Sequence, residues 1–160
     1  MIDTEVTATV LAIITVVAIA VGVEALLPYR MSEQFSELGV LGSNMKIADY
    51  PTELVAGENF TLYLYVGNHE GHVTYYRILV KLGDNTTQIS QDEPSDAELL
   101  LTKEVILQNE GNWTAPITLS IDKPCLNQRL IFELWAYNPE THLFEYRFPC
   151  QLWLNVTAPT

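Results

Sequence analysis

Positive charge is what this sequence has least of. Eight lysines and arginines stand against 20 acidic residues, for a formal net charge of −12. The cations Arg30, Lys46, Arg77, Lys81, Lys103, Lys123, Arg129 and Arg147 are scattered singly. A nucleic-acid backbone is held by clustered cations that displace condensed counterions, so no nucleic-acid partner is expected. A glycine-rich phosphate loop is missing, as is a Gly-x-Ser-x-Gly elbow, which removes the commonest routes to phosphate binding and serine catalysis. The acidic run "QDEPSDAE", with Asp92, Glu93, Asp96 and Glu98, lacks the alternation and glycine of an EF-hand and reads as a solvated loop. No cofactor, metal site or catalytic set is expected, and the chain does not read as an enzyme.

Histidine is also scarce. Two of the three histidines fall in "NHEGH", residues 68–72, around a carboxylate. A zincin helix needs His-Glu-x-x-His, which sets both imidazoles on one helical face. Here the spacing is one shorter, a glycine intervenes, and the flanks "ENFTLYLYVG" and "VTYYRILVKL" alternate with period two. A turn between two strands is therefore the expected reading. His142, in "NPETHLF", joins these histidines only if two distant loops meet.

One long apolar run stands out. From Val6 to Leu27 the only charge is Glu24, and 22 helical residues span about 33 Å, the thickness of a bilayer core. Pro28 then ends the helix. The start "MIDTE" lacks the basic region of a secretory signal, so a retained anchor is expected. The division that follows is a tail over 1–5, a transmembrane helix over 6–28, a linker over 29–34 and a β domain over 35–160.

Four Asn-x-Thr sequons, at Asn59, Asn85, Asn112 and Asn155, point to N-linked glycans and hence to an extracellular domain. Strand phase places Asn59 opposite Phe60, Leu62, Leu64 and Val66. Asn112 likewise lies opposite Trp113, Ala115, Ile117, Leu119 and Ile121, and Asn155 opposite Cys150, Leu152, Leu154 and Val156. All three are thus expected on outward faces. The two cysteines, Cys125 and Cys150, suit one disulfide in an oxidising compartment, with two buried thiols as the alternative. A simple hairpin register sets Cys150 near Arg129 or Leu130, so a bridge needs Pro124 or Pro149 to bend a strand. The flanking charges oppose this topology: Asp3 and Glu5 precede the helix while Arg30 follows it, the reverse of the positive-inside pattern.

Beyond residue 34 the chain reads as short strands: "FSELGVLG", "ELVAGENFTLYLYVG", "HVTYYRILVKL", "TTQISQ", "LLLTKEVILQ", "NWTAPITLSID", "NQRLIFELWAY" and "LFEYRFPCQLWLNVT". Turn residues separate them, and each has one apolar face, which predicts an all-β, immunoglobulin-like antiparallel β-sandwich. Tyr63, Tyr65, Tyr75, Trp135 and Trp153 fall on the opposite faces. They form either a partner surface or, as is favoured for the tryptophans, part of a two-sided core or a layer covered by a long loop.

The stretches "FSELGVLG", "DYPTELVAGENFTLYLYVGNHEGHVTYYRILVKL" and "NQRLIFELWAY…QLWLNVT" resemble the archaeal membrane-protein family called domain of unknown function 1616. The resemblance covers roughly residues 35–157. It implies an archaeal source and a surface-exposed β-sandwich, and it implies no activity. Its Asn-His-Glu turn corresponds to Asn68, His69 and Glu70, with His72 outside it.

These readings converge on a non-catalytic, glycosylated surface protein, single-pass in the cell membrane with its C-terminal domain outside. Its expected partners are the lipid bilayer and other envelope or membrane proteins, further copies of itself included. An alternative is a subunit of a type IV pilin-like filament, for which "TEVTATVLAIITVVAIAVGV" offers an apolar helix with Glu5 near its start, although no basic-glycine processing site precedes it. A second alternative is an accessory subunit of a larger membrane complex, in which Thr7, Thr9 and Thr15 supply helix-packing contacts.

Overall fold

A computed structural model describes residues 3–26 and 33–159. The expected helix stop at Pro28, most of the linker and Arg30 lie outside the described residues. The chain divides into two compact units, Met1–Glu33 and Gln34–Thr160.

The first unit contains α1 (Thr4–Leu26), whose 23 residues are apolar apart from its first turn, Thr9, Thr15 and Glu24. Its window Thr4–Gly22 has a mean hydropathy of 2.2, long and apolar enough to cross a membrane. The hydroxyls of Thr7, Thr9 and Thr15 donate to the carbonyls of Asp3, Glu5 and Leu11, at 3.2, 2.9 and 2.8 Å. Each polar group is thus satisfied within the helix itself, which is what an apolar surrounding demands.

The second unit is a two-layer sandwich. Its strands are β1 (Phe35–Leu41), β2 (Glu53–Val55), β3 (Asn59–His69), β4 (Thr74–Gly83), β5 (Glu98–Leu107), β6 (Asn112–Ser120), β7 (Cys125–Asn138) and β8 (Leu143–Thr157). One sheet has the order β1-β3-β6 and the other β2-β8-β7-β4-β5. Period-two alternation sends Leu62, Leu64 and Val66 of β3 inward to meet Ile78 and Val80 of β4 and Leu130, Phe132 and Leu134 of β7, all fully buried. The inward phases expected for β3, for the Ile117 to Ile121 half of β6 and for the end of β8 are the observed ones.

Three details depart from expectation. The segment "ELVAGENFTLYLYVG" does not form one strand: Gly57, at φ +83°, turns the chain and sends β2 and β3 to different sheets. As a result β2 pairs with β8 in parallel, an exception in a sandwich whose other pairings are antiparallel. The expected strand "TTQISQ" is instead part of the β4–β5 connection. There the Asp84 carboxylate accepts the amides of Thr86 and Thr87 at 2.8 and 3.1 Å, which curls the backbone into a turn instead of extending it.

The third departure is the disulfide. Both cysteines are free. Cys125 lies opposite Val156 and Cys150 opposite Phe132, so the β7–β8 register leaves them six to seven residues apart along the strands. At about 3.3 Å per residue that is about 20 Å, far beyond the reach of a bridge. Neither Pro124 nor Pro149 bends the hairpin enough to change this.

Candidate functional site

The "NHEGH" stretch forms the end of β3 and its turn into β4, and Asn68 occupies its centre with no exposed surface. Its Nδ2 lies 2.8 Å from the carbonyl of His72 and 3.0 Å from those of Leu107 and Gln108. Its Oδ1 accepts the Glu70 amide at 3.0 Å and the Tyr76 hydroxyl at 3.1 Å. The Asn68 backbone adds bonds to Gly111 and Glu110, at 2.9 and 2.8 Å. One carboxamide therefore satisfies polar groups from the β3–β4 turn, from β4 and from the end of β5. Burial raises the Tyr76 phenol above the ordinary tyrosine range and keeps it a neutral donor.

The histidines serve the same clasp. His69 stacks on Phe35 at 4.6 Å, with Nδ1 at 2.7 Å from Glu110 and Nε2 at 3.7 Å from Glu37. The exposed His72 places Nδ1 at 2.9 Å from the Glu70 carbonyl, and Ser36 donates to the Glu70 carboxylate at 2.5 Å. His142 contacts Tyr137 at 3.2 Å in its own hairpin. Among the described residues no three His, Cys, Asp or Glu side chains converge on a point that could hold a metal. The stretch is a turn lock.

A second polar centre was not anticipated. Residues 84–97, linking β4 to β5, cross the outer face of the five-stranded sheet as a strap. Beneath it Lys81, about nine-tenths buried, pairs with the fully buried Glu133, its Nζ at 3.0 Å from Oε1 and 2.9 Å from Oε2. The same lysine donates to the Ser95 carbonyl at 2.6 Å, while Glu133 accepts the Ser95 amide and hydroxyl at 2.7 and 2.8 Å. Tyr146 donates to the Ser90 carbonyl and Arg129 to that of Thr87, at 2.7 and 3.0 Å. Burial under the strap and the nearby carboxylates of Glu133 and Asp92 push the Tyr146 phenol up to about 12. The "QDEPSD" segment, expected to be only solvated, is thus tied down at Ser95, and at Ser90 just before it, although its acidic side chains stay exposed.

The strap also accounts for part of the outward aromatic layer. Trp135 packs edge-on against Tyr146 at 5.5 Å and lies 3.3 Å from Glu133, half-buried as a covered residue should be. Trp153 is 44% exposed and carries Arg129 4.1 Å above its ring. Tyr65 donates to Glu37 at 2.9 Å, and Tyr75 clusters with Tyr137 and Phe144, over which Arg77 lies at 3.8 Å.

The sequons divide into two groups. Asn59, Asn85 and Asn112 are exposed, the first and last at the opening positions of β3 and β6. Asn155 departs from expectation. It is half-buried, with Nδ2 donating to Glu53 at 2.9 Å and Oδ1 accepting the Asn127 amide at 2.8 Å. The outward strand phase was correct, but β2 lies alongside and occupies the amide.

The thiols also differ. Cys150 is packed against the core, and its burial pushes the thiol up to about 12, whereas Cys125 is exposed. Thiolate, not thiol, is the nucleophile. Titration of the native protein with a chromogenic disulfide at pH 8 is expected to count one fast thiol, the second reacting only in denaturant. Two equally fast thiols would contradict the register.

The sequence matches the family described as domain of unknown function, DUF1616, over residues 28–155. Among proteins with curated descriptions none matches. Solved structures with a similar backbone include a β-glucosidase from Listeria innocua, with 17% identity and a TM-score of 0.48 over 82% of this chain. This chain spans only 17% of that enzyme. A CARDB domain of the PF1109 protein from Pyrococcus furiosus, in complex with di-metal ions, is 9% identical with a TM-score of 0.49, covering 78% of this chain and 89% of that one. The sporulation control protein Spo0M from Bacillus subtilis is 8% identical with a TM-score of 0.46, covering 78% and 50%.

Proposed function

Because this chain belongs to the DUF1616 family, whose description names no activity, we propose a role without catalysis: a membrane-anchored surface protein whose β-sandwich contacts other envelope proteins. The observation that carries this reading is the pairing of an unbroken apolar helix with a sandwich that has its own complete core. A sandwich that buries its apolar faces by itself leaves α1 without a role in that core, and a bilayer is the solvent that suits it. The polar centres at Asn68 and Glu133 lock loops in place, which favours a rigid interaction module over a reactive site.

Two of the four edge strands, β6 and β5, argue against polymerisation by strand addition. Edge strand β6 carries the exposed Pro116 at its middle, which cannot donate to an added strand. Edge strand β5 sets Lys103 opposite the buried Ile78, an inward charge that an incoming strand would have to cover. The pilin-like alternative keeps one favourable feature, Glu5 in the first turn of α1. A carboxylate there is also what the positive end of a helix dipole prefers in any protein.

The sandwich lies on the glycosylating side in this reading. Peptide mapping of the protein from its native cells is then expected to find hexose at one or more of Asn59, Asn85 and Asn112, and Asn155 bare. Glycan at Asn155 alone would contradict the hydrogen bonding of its amide. To test the anchor, native membranes are washed with carbonate and treated with protease from outside. Retention of α1 with loss of the sandwich supports the reading, whereas release into sheared filaments would replace it with the pilin-like one.

A further inference from the structure

At the end of the sandwich where β4, β6 and β7 meet their loops, the two sheets part around a groove of about 570 Å³. Leu100, Ile121 and Pro124 give it an apolar wall. Asp84, Glu98 and Asp122 bring three carboxylates to its lining, against the single cation Lys123. Inside the opening lies Gln128, the next inward residue of β7 after Leu130, 7% exposed. Its Oε1 is buried and finds no donor among the described residues. An unpaired buried carboxamide oxygen is costly, and here it occurs on a side chain that lines an open groove and can present either end of its amide to a guest.

The chemistry of the guest follows from this lining. Anions are repelled. A bare metal ion is disfavoured because the three carboxylates do not converge as a ligand set. A side chain with an apolar stem and a cationic, donor-rich head meets both requirements: its methylenes lie on the apolar wall while its head donates to the carboxylates and to Gln128. Hydrogen bonds from Thr86 and Thr87 hold the Asp84 carboxyl below its usual range, so it remains charged.

We propose that this groove receives a lysine or arginine side chain from an exposed basic segment of a protein partner. The inference rests on the interaction role proposed above but not on membrane anchoring, so a binding test on the purified protein separates the two. The groove also carries its own reporter, the exposed Cys125 in its lining, while Cys150 is partly buried against the core.

The full chain in neutral detergent micelles is titrated with a tetralysine peptide and with the same peptide acetylated on every lysine. Affinity is read by calorimetry and groove occupancy by the alkylation rate of Cys125. Tetralysine is expected to bind and slow alkylation, and the acetylated peptide to do neither. The double substitution Glu98→Gln with Asp122→Asn should weaken binding about fivefold, the scale of two partly exposed ion pairs. Glu110→Gln with Glu140→Gln, the same charge change at the opposite end of the sandwich, should leave it intact. Equal loss in both pairs would reduce the effect to the general acidity of the chain and overturn the proposal, as would absence of binding or binding without protection of Cys125.

Discussion

Replacing Asn68 with alanine is expected to destabilise the sandwich by about 3 kcal/mol or more, the cost of stranding several buried polar groups at once. The two Nδ2 hydrogens are shared among the carbonyls of His72, Leu107 and Gln108, and Oδ1 accepts from Glu70 and Tyr76. Water cannot simply take its place, because the residue is fully buried where two strand ends and a turn meet. Asn68→Asp should be no milder: a carboxylate keeps the two acceptor bonds but sets negative charge against carbonyl oxygens that previously received donors. For a domain of this size the alanine change lowers the thermal midpoint by roughly 10 °C. Circular dichroism melts of the full chain check this, with His72→Ala as comparison. The His72 ring is exposed and bonds only to the carbonyl of Glu70, so its loss should move the midpoint little. Equal effects would refute the assignment of the lock to Asn68.

This asymmetry between Asn68 and the histidines was only half legible in the sequence. Alternation on both sides marked the stretch as a turn, and the turn chemistry of asparagine is local. The partners that make it a lock, Leu107 and Gln108, lie 39 and 40 positions away, and nothing in the local pattern announces them. The same contrast runs through the fold. Strand phase depends on neighbouring residues, so the inward faces of β3 and β8 were readable. The sheet to which a strand belongs, the β2–β8 pairing that occupies Asn155, and the register that separates Cys125 from Cys150 depend on distant chain. The cysteine pair shows the hazard plainly: counting suggested a bridge, while the strand register, fixed by the inward apolar rows of β7 and β8, forbids it.

The strap is the other case of this kind, and it yields the second large effect. Lys81 and Glu133 lie on the outward phase of β4 and β7, where charge is expected and needs no explanation. They become buried only because residues 84–97 fold back over them. Removing one partner of a buried ion pair leaves the other charged, desolvated and alone, at a cost of about 3–5 kcal/mol. Glu133→Ala should reach that range, since Ser95 loses its acceptor together with Lys81. Lys81→Met combined with Glu133→Leu should recover a good part of the loss, because no isolated charge then remains under the strap, although the Ser95 amide still lacks its partner. The strap gives a second readout. With its central anchor gone, limited proteolysis should cut within 84–97 well before the strands, while the parent chain resists there. If Glu133→Ala melts like the parent and its strap stays uncut, Tyr146 and Arg129 suffice to hold the segment, and the buried pair is a passenger of the fold instead of its fastening.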